Sequence, residues 1–276
     1  MEALEIAVGP LSFAARAEGP ADGELVLLLH GFPQTSFAWR HQLEALGEAG
    51  YRAVAPDQRG YSPDARPSDV AAYHQERLVE DTVGMADALG ADRFHLVGHD
   101  FGGLVAWHTA ARHADRLHTV TSVSTPHPRA MARSILEGGE QAEKSSYMLF
   151  FQSPEAEGFF LDNDAAGLRG VYEATGLTET DDYVRVLSER PALTAALNWY
   201  RALDRDVIER MGAVTTPTLY AWSTEDPALG REAAEETAQH VEGPYRFEVL
   251  EGIGHFIPEE APDALNRVLL EHLTAA

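Results

Sequence analysis

Phe94-His95-Leu96-Val97-Gly98-His99-Asp100-Phe101-Gly102-Gly103-Leu104-Val105-Ala106-Trp107 is the stretch on which the fold turns. An apolar strand, Phe94 to Val97, runs into a G-x-D-x-G-G turn, and an apolar run at helical spacing leaves it. Gly98 and Gly102 carry no Cβ, so a strained turn can form and the helix can pack close to the strand. The residue between them, Asp100, is then presented at the top of a sheet. In strand–turn–helix units of this kind the apex is usually serine. A carboxylate at the apex suits a different reaction: it displaces a leaving group at saturated carbon and forms an ester on the protein. Position 100 therefore points away from peptide and ester cleavage and towards epoxides or alkyl halides. The plainer reading is a turn closed by an N-cap aspartate, because a short carboxylate accepts N–H bonds at a helix start.

Working outward, the N-terminal side reads as short strands at Leu4–Val8 and Leu11–Ala17, joined at Gly9-Pro10. Glu24 to Leu29 is a continuous apolar run after Gly23, as expected of a parallel strand covered on both faces. His30-Gly31-Phe32-Pro33 ends it. A helix is predicted from about Trp39 to Ala49, a strand over Tyr51–Ala55, a loop to Pro67 and a helix over Tyr73–Leu89. Beyond the central turn, Leu117–Ser124 reads as the next strand. From Pro126 to about Gly212 helical patches rich in aromatic residues replace the strand rhythm. Strands resume at Thr216–Trp222 and Tyr245–Leu250, and a helix at about Asp263–Leu273 closes the chain. Alternating strands and helices predict a mostly parallel α/β sheet flanked by helices. The expected division is a core of residues 1–126 and 213–276 interrupted by a helical cap, 127–212.

Composition narrows the function classes. In 276 residues, 21 Lys+Arg against 44 Asp+Glu give a formal charge of −23. Such a surface repels nucleic acid and anionic membrane. There are no cysteines, which excludes disulfides, thiolate metal sites and a cysteine nucleophile. The 12 histidines show no His-Glu-x-x-His spacing, so no metal or other cofactor is expected. No basic segment followed by an apolar core opens the chain, and no run approaches about 18 apolar residues. The expectation is a cytoplasmic enzyme acting on a small molecule, with no membrane span.

Three later features answer Asp100. The strand ending at Trp222 leads into Ser223-Thr224-Glu225-Asp226-Pro227, and acids at strand C-termini gather at ligand sites in open α/β sheets. The strand ending at Leu250 leads into Glu251-Gly252-Ile253-Gly254-His255-Phe256, where two glycines let the loop carry His255 back over the sheet. The order Asp100, Asp226, His255 is nucleophile, acid, histidine. Asp226 could instead be an N-cap before Pro227, with Glu225 as the acid. Backbone N–H groups at Phe32 and Phe101 are candidates for an oxyanion hole. His30, His99 and His127 read as structural.

Taken together these segments resemble the α/β-hydrolase fold and, within it, the epoxide hydrolase family, over nearly the whole chain. The resemblance rests on His30-Gly31-Phe32-Pro33 followed by Trp39-Arg40-His41-Gln42, on Asp57-Gln58-Arg59-Gly60-Tyr61-Ser62, on the aspartate turn and on Gly254-His255-Phe256. Its most discriminating pieces lie in the cap. Tyr147-Met148-Leu149-Phe150-Phe151-Gln152 and Asn198-Trp199-Tyr200-Arg201 are similar to the family's two tyrosine segments, whose hydroxyls hold the epoxide oxygen. The resemblance implies that Tyr147 and Tyr200 serve Asp100, and that Pro33, Phe151, Trp199 and Phe256 contact substrate. Singly, each tyrosine also reads as a packed aromatic with a bonded hydroxyl. The residue after the nucleophile, often Trp in the family, is Phe101. The implied substrates are an epoxide and water. A haloalkane dehalogenase shares the aspartate chemistry but needs side-chain N–H donors for halide, which neither Phe32 nor Phe101 has. The remote alternative is a non-catalytic binding protein on the same fold.

Overall fold

The computed structural model describes residues 1–275. β1 (Glu2–Val8) and β2 (Leu11–Glu18) form an antiparallel hairpin, and β2 pairs antiparallel with β4 (Arg52–Pro56). From there the sheet is parallel: β3 (Leu25–Leu29) lies between β4 and β5 (Phe94–His99), followed by β6 (Leu117–Val123), β7 (Thr218–Ser223) and β8 (Tyr245–Leu250). The strand order is β1-β2-β4-β3-β5-β6-β7-β8. The chain leaves β3 in one direction to build β4 and then returns to build β5 on the other side. That reversal opens a crevice at the C-terminal ends of β3 and β5, where ligands bind in open α/β sheets. The loop after β3 starts at His30 and the loop after β5 is Asp100, so these segments meet at the crevice.

Side chains alternate across each strand. Val26 and Leu28 of β3 pack with Leu43 and Leu46 of α1 (Arg40–Glu48) on one face. Leu27 and Leu29 pack on the other with Met85 of α2 (Gln75–Ala88) and Val105 of α3 (Phe101–Arg112). Burying one such side chain contributes about 1.5–3 kcal/mol. Both faces being covered is the reason β3 reads as an unbroken apolar run.

Between β6 and β7 the chain is helical: α4 (Pro128–Glu137), α5 (Glu140–Lys144), α6 (Tyr147–Phe151), α7 (Ala156–Thr175), α8 (Asp181–Leu187), α9 (Arg190–Arg201) and α10 (Arg205–Glu209). Phe160, Tyr172 and Leu193 of this insert belong to the same apolar cluster as Leu27 and Val105, so the insert is packed onto the sheet domain. α7 is broken at Asp162–Ala165, where Asn163, Asp164 and Ala165 take left-handed φ of 53°, 60° and 58°. The chain ends with α11 (Arg231–Glu236), α12 (Ile257–Glu260) and α13 (Pro262–Thr274). Among the described residues, no helix is long and apolar enough to cross a membrane.

Two local expectations shift. The first helix begins at Arg40, because a 3₁₀ turn over Ser36–Trp39 precedes it, with the Thr35 hydroxyl accepting from the Phe37 N–H. α11 has no counterpart in the sequence reading. Its Arg-Glu-Ala-Ala-Glu-Glu run has too few apolar residues to show a period.

Candidate active site

Asp100 takes φ 53° and ψ −120°, a conformation that costs energy for any residue with a Cβ. The surrounding turn holds it there. A Cβ on Gly98 would lie 2.0 Å from the Gly102 carbonyl oxygen, so only glycine lets α3 start this close to β5. The Asp100 carbonyl accepts from the Thr125 hydroxyl at 2.8 Å and the Leu104 N–H at 3.1 Å. Asp100 occupies the N-cap position of α3, yet its carboxylate makes no capping bond. The plainer N-cap reading of Asp100 therefore does not describe what its side chain does.

The Asp100 carboxylate is instead held towards the loop after β3. Its Oδ1 accepts from the Phe32 N–H at 2.8 Å. Gly31 packs beneath, where an added Cβ would lie 2.2 Å from the Asp100 Cβ and 2.3 Å from Oδ1. Oδ2 lies 3.6 Å from His255 Nε2, beyond a normal hydrogen bond. Burial would raise the Asp100 pKa, but His255, His99 and the Phe101 N–H outweigh it and hold the carboxyl below its usual value.

His255 is 2.7 Å from Asp226 Oδ2 through Nδ1. The other Asp226 oxygen accepts from the Ala228 and Leu229 N–H groups at 2.8 and 3.0 Å. Asp226 thus orients the imidazole and also makes the turn bonds that an N-cap reading anticipates. Glu225 is exposed and makes no contact with the imidazole. The His255 loop is fixed from outside: the Gly254 and Phe256 N–H groups both donate to Glu260, each at 2.9 Å. The His255 carbonyl accepts from the Ser124 hydroxyl at 2.8 Å. Burial opposes a charge on His255, but the Asp226 and Asp100 carboxylates overcome it and raise its pKa to about 10. The imidazole thus lies between two carboxylates that favour its charged form.

The other histidines behave differently. His99, in contact with His255 at 4.9 Å between ring centroids, is pushed down to about 4 by burial and by the His255 charge. His30 is lowered by burial, and its Nε2 accepts from the Gln58 N–H at 3.2 Å, which fixes the loop carrying Phe32. His127 stacks on His240 at 4.6 Å, away from Asp100.

Above Asp100 lies a cavity of about 540 Å³, within the ~300–1,000 Å³ range of small-molecule sites. Asp100, Tyr147 of α6 and Tyr200 of α9 all line it. The two phenol rings are 6.4 Å apart at 77°. Burial, then the Asp100 charge, pushes the Tyr147 pKa far above 10; burial, then Tyr147 and Asp100, does the same for Tyr200. Both phenols remain protonated donors at any ordinary pH.

The description "alpha/beta hydrolase fold" belongs to the family whose sequence model matches residues 24–262. Over 93% of this chain and 92% of its own length, Epoxide hydrolase A of Mycobacterium tuberculosis is 34% identical. The AB hydrolase superfamily protein YfhM of Bacillus subtilis is 36% identical over the same shares. The crystal structure of Epoxide hydrolase A from Mycobacterium thermoresistibile superposes with a TM-score of 0.86 at 30% identity, covering 99% of this chain and 98% of that one. The chain belongs to the epoxide hydrolases of the α/β-hydrolase fold.

The lining of this cavity in this epoxide hydrolase includes neither His255 nor the four residues expected to contact substrate, Pro33, Phe151, Trp199 and Phe256. The Pro33 carbonyl accepts from the Tyr172 hydroxyl. Phe151 packs on Phe32, Tyr147 and Tyr200 at 5.4, 5.0 and 5.1 Å. The Trp199 indole N–H donates to the Arg59 carbonyl at 2.8 Å, and its ring meets Phe101 at 5.4 Å. Phe256 is 2% exposed and packs on His255. The apolar lining comes instead from Leu104 of α3, from Met131, Ile135 and Leu136 of α4, from Ile208 of α10 and from Leu229. On their helices such residues look like ordinary core, so nothing in the sequence marked them.

Proposed function

We propose that this enzyme opens lipophilic epoxides to vicinal diols through a covalent ester on Asp100, with residues 127–212 acting as a cap that brings both phenols to the core's carboxylate. One observation carries this reading: the Asp100 carboxylate and the Tyr147 and Tyr200 side chains line one apolar cavity. A strained ring with a poor alkoxide leaving group needs that pairing of nucleophile and proton donors.

In the first step Asp100 Oδ2 attacks one ring carbon. The C–O bond breaks, and the alkoxide takes a proton from a phenol. Oδ1 stays on the Phe32 N–H, 2.8 Å away, and becomes the ester carbonyl oxygen. The second step follows from the electrostatics. Esterification removes the Asp100 charge, so one of the two carboxylates holding the His255 pKa near 10 is lost. The imidazolium passes its proton to the phenolate left by the first step, and the neutral imidazole can then take one from water. That water attacks the ester carbonyl carbon. The oxyanion develops on Oδ1, which already sits on the Phe32 N–H and beside the Phe101 N–H. On collapse the diol's alkoxide leaves with the proton held by His255, and the new Asp100 carboxyl gives its proton to the imidazole, so carboxylate and imidazolium reform. These steps use side chains, backbone N–H groups and water, and no cofactor is invoked.

Halide displacement at the same carboxylate is the rival. The indole N–H of Trp199, whose ring packs on Phe101, is committed to the Arg59 carbonyl at 2.8 Å and is not free to hold a halide. Diol formation from a racemic aryl epoxide, measured beside halide release from a 1-haloalkane, tests the choice. Tyr147→Phe and Tyr200→Phe should each slow epoxide opening by about 10²–10³, as losing one oxyanion donor does, and the double variant should lose it almost completely. Halide release in place of diol formation, or ring opening indifferent to both phenols, would overturn the reading.

A further inference from the structure

Tyr147 stands on a helix with little seating of its own. None of the residues of α6 is fully buried, and the helix opens without a side-chain cap. Upstream, α5 is joined to α4 through Gly138 and Gly139, whose φ of 86° and 83° lie in the left-handed region. A Cβ added at either glycine would meet nothing within 4 Å. That link is bare backbone and does not by itself fix where α5 and α6 sit.

The hold comes from a side chain of α5. Gln141 is 1% exposed, and its amide makes three hydrogen bonds. Oε1 accepts from the Gly230 N–H at 2.7 Å, and Nε2 donates to the Ala228 carbonyl at 2.9 Å and to the Ser145 hydroxyl at 2.8 Å. Gly230 N–H can only donate and the Ala228 carbonyl can only accept, so the amide fits in one orientation. The contact is close: a Cβ on Gly230 would lie 3.3 Å from Oε1. Lys144 adds a second tie by donating to the Asp226 carbonyl at 2.6 Å. These partners all belong to the turn of Asp226. The Ala228 N–H donates to Asp226 Oδ1 at 2.8 Å, while the Ala228 carbonyl receives the Gln141 bond. From Gln141 the restraint passes directly to Tyr147. The Ser145 N–H donates to the Gln141 carbonyl at 2.9 Å, and the Ser145 carbonyl accepts from the Met148 N–H at 3.1 Å. Ser145 is thus bonded to Gln141 by side chain and backbone, and to the first turn of α6 by its carbonyl.

We infer that Gln141 is the positioning residue of Tyr147: it pins α5, and with it the phenol, to the turn that carries Asp226. The inference rests on the epoxide reading above and deepens it. One turn then sets both the acid that orients His255 and the proton donor that faces Asp100. Gln141 acts through Tyr147, not by touching the reacting atoms.

The test is Gln141→Met, which keeps the volume and removes the three bonds. Alkylation of Asp100 by styrene oxide is followed in a single turnover, by rapid quench and intact mass, in the wild-type, Tyr147→Phe and Tyr200→Phe backgrounds. Misplacing a donor should cost less than losing it, about ten-fold against about 10²–10³. That factor should persist in Tyr200→Phe, where Tyr147 is the phenol that remains. It should shrink to within about two-fold in Tyr147→Phe, which has no hydroxyl left to misplace. A general loosening, or a disturbance passed through Asp226 and His255, would slow both backgrounds alike. Should Gln141→Met not fold, Lys144→Met changes a side chain that is 22% exposed, and it should slow alkylation in Tyr200→Phe but not in Tyr147→Phe. Wild-type alkylation in folded Gln141→Met, or equal slowing of the two backgrounds by either variant, would overturn the inference while leaving the epoxide reading in place. A wild-type rate in Tyr147→Phe itself would overturn the role of that phenol, on which the inference rests.

Discussion

Gly31→Ala should disable the nucleophile without touching it in sequence. A Cβ at position 31 would lie 2.2 Å from the Asp100 Cβ, 2.3 Å from Oδ1 and 2.7 Å from Cγ, where ordinary contact begins at 3.4 Å. Asp100 must therefore retreat by about 1.2 Å (3.4 − 2.2) or the loop after β3 must lift away, and either movement breaks the 2.8 Å bond from the Phe32 N–H. A misplacement of about 1 Å costs roughly 10²-fold in rate. Single-turnover kinetics, with ester formation followed by rapid quench and intact-mass analysis, should show alkylation slowed by about that factor or more. Overpacking should cost about 1–3 kcal/mol of stability. All three nearest atoms belong to Asp100, so most of that loss should disappear in an Asp100→Gly background. Glycine also suits φ 53° at that position. Wild-type alkylation in Gly31→Ala, or a stability loss unchanged by Asp100→Gly, would refute the claim that Gly31 is there to admit the carboxylate.

His255→Gln should still alkylate and then stall, so intact-protein mass spectrometry under excess epoxide should show one substrate mass added; turnover with no adduct would give His255 another role. In the wild type, NMR titration should place the His255 pKa near 10, and a folded Asp100→Ala variant should titrate lower, because one of the two raising carboxylates is gone. A pKa raised in the folded state stabilises fully below the unfolded value and less as pH rises through the folded one. The stability advantage of wild type over His255→Gln should thus be largest below about pH 6.5 and fade towards pH 10, as followed by chemical denaturation across that range.

Much of the fold was legible because burial on both faces leaves a strong trace. β3 is a continuous apolar run, β5 is buried along its whole length, and Gly50, Gly90 and Gly252 fall at turns with positive φ. α11 was illegible because its apolar face is made of alanines among glutamates. The break in α7 falls on Asp162-Asn163-Asp164, residue types that tolerate left-handed backbone better than most, so it was visible in principle. In the site, the proximity of Asp100, Asp226 and His255 could be anticipated from chain order and strand ends, whereas the pairing of Tyr147 and Tyr200 over one carboxylate came only from the resemblance of their segments to the epoxide hydrolase family. Their roles remain the proposal. Neighbours of those motifs were harder to place. Trp199 directly precedes Tyr200, and helical geometry turns consecutive side chains about 100° apart, so the two diverge; Phe151 follows Tyr147 by four residues, shares its helix face and packs on its ring at 5.0 Å. Met131 and Ile135 line the cavity on a helix whose pattern is that of any packed helix. The pair of hydrogen bonds that Glu260 accepts from the His255 loop has no sequence signal at all, since a glutamate in that helix reads as a solvated surface residue.

The covalent ester on Asp100 is tested most directly by a single turnover in H₂¹⁸O with enzyme in excess over epoxide. If water attacks the ester carbonyl, the diol formed carries the epoxide oxygen and one oxygen from Asp100, and neither comes from water. The label should appear in the peptide containing Asp100 and be absent from the diol. Label in the diol after one turnover, with an unlabelled Asp100 peptide, would mean that water attacks the epoxide directly and that Asp100 is not the nucleophile.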